Sequence, residues 1–128
     1  MARPSTHKQV DDRLGQANVL RGLGHLESRL GRNDQARAAY GEALNLFKQV
    51  DNRLGQANVQ RGLGFLDSRK NPQKAARCFF EAAQLYEMIG MTEDHDAALR
   101  EADKLWGAAI APAPKPIPAA HDKRRQKP

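Results

Sequence analysis

The chain has 128 residues, of which 40% are hydrophobic and 28% are charged, a balance typical of one soluble globular domain. No apolar stretch follows the basic residue near the start, as a secretory signal requires, and no run approaches the roughly 18 apolar residues of a membrane-spanning helix. The single cysteine, Cys78, excludes a disulfide framework within the chain. We therefore expect an intracellular protein, cytoplasmic by default, with no membrane span.

The net charge of +6 is concentrated at the C-terminal end. Residues 107–128 carry +4 of it, together with five prolines and only isolated apolar residues. Such a composition cannot build a packed core. We therefore predict a disordered basic tail at 107–128 and a flexible N-terminus at 1–9.

A segment of the chain occurs twice. Residues 8–30 return as residues 48–70 and are identical at 18 of 23 positions. Self-similarity at a fixed period of roughly 20–50 residues is the signature of stacked-repeat proteins, in which each unit buries its apolar face against its neighbour. We place the first repeat at residues 10–50 and the second at residues 51–90.

The first repeat has the pattern of two helices. Apolar residues of the first helix fall on one stripe along the helix. Asn33 is the predicted N-cap of the second helix, whose apolar residues recur every three or four positions. The stripe of the first helix consists of Val19, Leu20, Leu23, Leu26 and Leu30.

The second repeat rebuilds this pattern, with a stripe at Val59, Leu63 and Leu66. Asn71 and Pro72 supply an N-cap followed by a proline at the first helical position. A fifth helix at residues 91–106 has one apolar and one polar side, as a helix that closes a solenoid needs. The fold class predicted is all-α, an α-solenoid of antiparallel helix pairs with about five helices.

These units resemble tetratricopeptide repeats. The first repeat places Leu23-Gly24, Ala36, Tyr40 and Ala43 at the spacing of that family's pattern, and the second places Leu63-Gly64, Ala76, Phe80 and Ala83 there. The period is 40 residues, as in a longer variant of the family, and two of the family's aromatic positions hold other residues in each repeat. Armadillo or HEAT repeats are the alternative by period. The resemblance implies a non-enzymatic adaptor that binds extended peptides or helices of partner proteins in a groove lined by the first helix of each pair.

The outward face of the first helices is the candidate site. The first helices are nearly identical while the second helices share few residues, although packing alone tolerates divergence in both. Arginines on this face can hold carboxylates, and asparagines can bond a peptide backbone. We therefore predict an acidic or C-terminal peptide as the ligand. The predicted peptide-binding residues are Asn18, Arg21, His25, Arg29, Asn58, Arg61, Phe65 and Arg69.

A plainer interpretation of this face stays open. Surface arginines on a helix are usually solvated, and Asp11, Glu27 and Asp67 are available to pair with some of them. Near-identity of the two helices is also what a recent duplication leaves behind. The sequence does not decide between these interpretations.

Catalytic chemistry has little support in the sequence. The four histidines are scattered, and Cys78 falls in a stretch predicted to be buried. Asp94, His95 and Asp96 are adjacent on a predicted helix and point in different directions, so they do not form a metal site. We expect no catalytic residue, no metal and no cofactor.

Two further partners are alternatives. The basic tail is suited to nucleic acid or another acidic surface, although it has no aromatic residue to stack on bases, and we regard nucleic acid as an improbable partner. Repeat arrays generally need three or more units, and residues 8–13 match the end of a second helix at 48–53. The first-helix face of repeat one is therefore a candidate for cover by another copy, in a self-associating scaffold or homo-oligomer.

Overall fold

The structure, a computed structural model, describes residues 6–110, with side chains from residue 8 to residue 107. These residues form five α-helices and no strand. The predicted all-α solenoid is confirmed. The helices are α1 (Thr6–Arg29), α2 (Asn33–Gln49), α3 (Arg53–Asp67), α4 (Pro72–Met88) and α5 (Thr92–Ile110).

The outer helices extend beyond the boundaries predicted for them. α1 begins at Thr6, inside the range 1–9 predicted to be flexible, and α5 continues to Ile110, inside the predicted tail. The remainder of the tail, with the nucleic-acid alternative that depends on it, lies outside the described residues.

Helices that follow one another in the chain pack side by side, and α1 also contacts α3. The first helices of the two repeats therefore lie on the same side of the stack. The reversals are short: Gly31 (φ 80°) ends the turn region after α1, and Asp51 (φ 57°) and Gly90 (φ 78°) adopt left-handed backbone after α2 and α4.

Helix caps agree with the prediction at one of two positions. The side chain of Asn71 accepts a hydrogen bond from the backbone N–H of Lys74, and Pro72 is the first residue of α4, as predicted. The prediction for α2 was wrong. Arg32 occupies its N-cap position without a side-chain cap, and Asn33 is already the first helical residue, one position too late to act as the cap.

Close approach between the first and second helices depends on glycine. A Cβ atom at Gly24 would lie 2.7 Å from Cδ1 of Tyr40, and one at Gly62 would lie 2.7 Å from Cζ of the same ring. The ring of Tyr40 is therefore held between α1 and α3. It forms the centre of the first core cluster with Ala43, Phe47, Val59 and the buried Ala17.

Four of the five residues in the apolar stripe of α1 are exposed. Val19 is 72% exposed, Leu23 41%, Leu26 52% and Leu30 55%, and only Leu20 packs against the core. The same stripe in α3 is covered: Val59 is fully buried, and Leu63 and Leu66 pack on the cluster around Tyr40. The difference arises because α2 covers this face of α3, whereas no described helix precedes α1.

α5 closes the other end of the stack against α4. Ala98 joins a cluster around Tyr86, and Trp106 packs edge-on against Phe80 with ring centroids 6.2 Å apart. Its outer side is polar. Exposed there are Thr92, Glu93, Asp96, Arg100, Asp103 and Lys104.

Candidate functional site

A cavity of about 420 Å³ opens on the side of the stack where α1, α3 and α5 lie. Every helix contributes to its wall, because Tyr40 of α2 and Phe79 of α4 reach it between the first helices. We call this cavity the groove. Its lining residues are Arg21, His25, Tyr40, Asn58, Arg61, Gly62, Phe65, Phe79, Asp94, Ala97, Ala98 and Glu101.

Two arginines of the groove lack a charged partner. Within the described part of the chain, neither Arg21 nor Arg61 forms an ion pair. The Nε atom of Arg21 is buried and has no hydrogen-bond partner among the same residues.

Two of the three acids that the sequence made available to these arginines, Glu27 and Asp67, are engaged elsewhere. Glu27 lies 3.3 Å from Arg32, just after α1. Asp67, which is buried, accepts a hydrogen bond from Arg37 of α2. Structural pairing with Glu27 and Asp67 therefore does not neutralise the groove arginines.

The pKa values of two tyrosines are affected by the charged side chains around the groove. Burial raises the pKa of Tyr40, and the guanidinium groups of Arg21 and Arg61 oppose that shift. Burial also raises the pKa of Tyr86, where Arg61 acts in the opposite direction and Asp94 adds to the increase. Positive charge from two helices and negative charge from α5 thus act on the same small volume.

Asn58 is fixed in place by Tyr86. The tyrosine hydroxyl donates a hydrogen bond to Oδ1 of Asn58 at 2.6 Å. This leaves the amide nitrogen of Asn58 as the group able to donate to a ligand. Its counterpart Asn18 is exposed, and the position equivalent to Tyr86 in the first repeat holds Leu46, which has no hydroxyl to bond an asparagine.

Phe65 supplies the apolar part of the groove. It is 54% exposed, yet one edge packs against Phe79 in a T-shaped arrangement with centroids 4.9 Å apart. The ring is therefore held by a buried neighbour while much of its surface faces solvent. Such a half-covered aromatic ring is typical of binding anchors.

α5 gives the groove an acidic wall, formed by Asp94 and Glu101. Both side chains are only partly exposed, and Glu101 also lies 3.4 Å from Lys104 on the outer side of α5. The groove therefore changes sign, from arginine on α1 and α3 to carboxylate on α5.

A family model of the tetratricopeptide repeat matches residues 15–88, more than half of the chain. The chain belongs to the tetratricopeptide repeat (TPR) family. No curated protein and no solved structure matches it significantly. TPR units generally mediate contacts between proteins and are typically non-catalytic.

Five of the eight predicted peptide-binding residues meet in the groove of the TPR stack. These are Arg21, His25, Asn58, Arg61 and Phe65. The other three, Asn18, Arg29 and Arg69, are exposed and do not line it. Arg29 is the last residue of α1 and Arg69 follows the end of α3, so both lie beyond the end of the cavity.

Sequence reasoning missed the contribution of α5. The 40-residue period that relates Arg21 to Arg61 continues to Glu101, and Asn52, the cap of α3, has Thr92 as its counterpart at the start of α5. α5 is therefore placed like the first helix of a third unit. The sequence signal that could have identified α5 was the 40-residue period, but the side chains of α5 have diverged too far from those of α1 and α3 to make it obvious.

The remaining predictions concern chemistry outside the groove. Between residues 6 and 110, no group of three metal-ligating side chains is placed to hold an ion. His95 is buried, within 2.9 Å of Asp96 and 3.1 Å of Glu87, and fixes α5 to the end of α4. None of the described helices is long and apolar enough to cross a membrane.

Proposed function

We propose that this TPR protein is an adaptor that binds a peptide or helix of a partner protein in the groove, with an acidic side chain or C-terminal carboxylate held by Arg21 and Arg61. The observation that carries the proposal is that two arginines without ion pairs converge with a half-exposed Phe65 in one cavity. Guanidinium groups bind carboxylates by paired, charge-assisted hydrogen bonds.

The other groove residues support the same ligand. The Asn58 amide is available to donate to a backbone carbonyl, and Phe65 offers a surface for an apolar side chain. Asp94 and Glu101 favour a basic or amide group further along the peptide, because a second carboxylate there meets like charge. The proposed ligand is therefore acidic at one end, apolar in the middle and not acidic beyond it.

A peptide display screen with free and amidated C-termini tests the proposal. Binders should be enriched in carboxylates at one position, and Arg21→Ala or Arg61→Ala should weaken each binder about tenfold, because a hydrogen bond to a charged group contributes about 1.5–3 kcal/mol. Matched controls are Arg29→Ala and Arg69→Ala, which remove the same charge from the same helices outside the groove.

The controls separate local recognition from general attraction. Equal losses of affinity for all four arginine variants would show that net charge attracts the peptide. If instead the peptides bound all four variants with unchanged affinity, the binding site would lie elsewhere. Circular dichroism of each variant checks that the helices are intact. Cytoplasmic localisation stays a prediction, which a fluorescent fusion would test.

A further inference from the structure

The exposed stripe of α1 is the largest apolar feature that the groove does not use. It consists of Val19, Leu23, Leu26 and Leu30, and we call it the leucine face. About half of the surface of these four side chains is exposed, a patch of roughly a few hundred Å², the size at which patches on soluble proteins mark contact sites. The face points away from the groove, whose α1 residues Arg21 and His25 lie on the opposite side of the helix.

The second repeat shows what kind of element fits this face. Val59, Leu63 and Leu66 are the counterparts of Val19, Leu23 and Leu26, and they are covered by a helix, α2. Three of the four side chains of the leucine face are the same in the second repeat, where Lys70 replaces Leu30, so the face calls for a helix of similar apolar character. The leucine face is thus one half of a helix–helix interface that the fold builds once already.

Among the described helices, the leucine face is itself the widest exposed apolar stripe, so a second copy is the candidate to complete that interface. The polar outer side of α5 is unsuitable, because head-to-tail stacking would bury the charges of Glu93, Arg100 and Asp103 against leucine. The leucine face of a second copy is the apolar surface that fits, since the other exposed apolar residues, such as Leu54 and Met88, lie on α3 and α4. We propose that two copies of this chain associate through their leucine faces, with the α1 helices side by side about a two-fold axis.

The spacing of the face suits such a pair. Its residues follow one another at intervals of four, three and four, the spacing of a coiled-coil seam. The seam continues toward the N-terminus at Asp12, seven residues before Val19. A parallel pair would place two Asp12 carboxylates opposite each other, whereas an antiparallel pair separates them and sets Val19 against Leu30 of the second copy.

The area is sufficient for a reversible dimer. In a two-fold dimer each copy buries its own leucine face. Together with the flanking polar side chains, the total buried area approaches the ~1,000 Å² expected of a specific interface. α2 packs on the far side of α1, so it does not obstruct the second copy. Both grooves stay open in the dimer, and the proposal is independent of what the groove binds.

Sedimentation velocity of the full chain over a concentration series tests the dimer. We expect the mass to rise from 14.2 kDa toward twice that value. Leu23→Glu combined with Leu26→Glu should raise the dimer dissociation constant at least about 100-fold with unchanged helicity. Met88→Glu is the control, since Met88 is also 55% exposed but lies on α4.

Cysteine cross-linking tests the orientation in a Cys78→Ala background. A mixture of Val19→Cys and Leu30→Cys chains should form a disulfide-linked pair, and neither variant alone should do so. Cross-linking of Val19→Cys with itself would overturn the antiparallel arrangement. A wild-type chain that stays monomeric at about 100 μM, or a dimer that survives the double glutamate variant, would overturn the proposal itself.

Discussion

Gly15 and Gly55 hold the same position in the two repeats but have different surroundings. A Cβ atom at Gly55 would overlap the ring of Phe47, whereas one at Gly15 would meet nothing. We therefore expect Gly55→Ala to lower the free energy of unfolding by about 1–3 kcal/mol through overpacking. Gly15→Ala should raise it by up to about 1 kcal/mol, because alanine is the better helix former. Urea denaturation measures both, and equal effects would contradict the assignment of Gly55 to the α2–α3 contact.

Cys78 is a second residue whose behaviour follows from its surroundings. Burial raises the pKa of its thiol to about 11, and the carboxylate of Asp67 adds to the increase. At pH 8 the thiolate fraction should therefore be about 100-fold lower than in the unfolded chain, since each pKa unit is a factor of ten. Native protein should react with a disulfide reagent at least about tenfold more slowly than protein in urea.

The same shift has a consequence for stability. Because the thiol of the folded chain keeps its proton to a higher pH than that of the unfolded chain, the contribution of Cys78 is complete below about pH 9 and is lost as the pH rises toward about 11. Cys78→Ala should make the free energy of unfolding less dependent on pH in that interval. Equal thiol reactivity in the folded and unfolded states would contradict the burial of Cys78.

At the scale of the element, two segments that differ at one position adopt different structures. Residues 8–13 lie inside α1, whereas their counterparts 48–53 contain the end of α2, a turn at Asp51 and the start of α3. In the second segment the side chain of Asn52 caps the start of α3, because it accepts a hydrogen bond from the N–H of Gly55 at 2.6 Å. Asp12 stands at the equivalent position and continues the helix.

This contrast predicts opposite roles for the two residues. Asn52→Ala should lower the free energy of unfolding by about 1 kcal/mol through loss of the N-cap, and Asn52→Asp should restore most of it. Asp12→Ala is the matched control and should leave stability unchanged or raise it slightly, because alanine favours a helix interior. Thermal unfolding followed by circular dichroism measures all three, and a loss on Asp12→Ala equal to that on Asn52→Ala would contradict the single helix α1.

The elements themselves were predictable from the sequence, and their exposure was not. The repeat period, the apolar stripes and the Asn71-Pro72 cap predicted the five helices, because each of these features can be read directly from the sequence. The sequence alone does not determine how exposed Val19 and Leu23 are, because exposure depends on whether another helix covers them, as α2 covers Val59 and Leu63. An apolar stripe indicates which face of a helix should be buried. Whether that face is buried depends on the neighbouring helix.

At the scale of the whole molecule, the groove is a row of first helices whose charge changes sign. Arg21, Arg61 and Glu101 hold equivalent positions one period apart, and all three line the cavity. That Arg21 and Arg61 share one face was predictable because the two copies are nearly identical. The acidic part was not, because α5 has diverged and its place as a third first helix appears only once it packs against α4.

Extending the arginine row tests whether this polarity selects the ligand. Glu101→Arg removes the carboxylate opposite Arg61, so an acidic peptide from the display screen should bind about tenfold more tightly at low salt, with a smaller gain for Glu101→Gln. The gain should shrink at high ionic strength, because screening weakens partly exposed charges. Glu81→Arg, which makes the same charge change on exposed α4 surface, is the control. If anisotropy titrations gave equal gains for Glu81→Arg and Glu101→Arg, the total charge of the molecule and not the geometry of the groove would determine affinity.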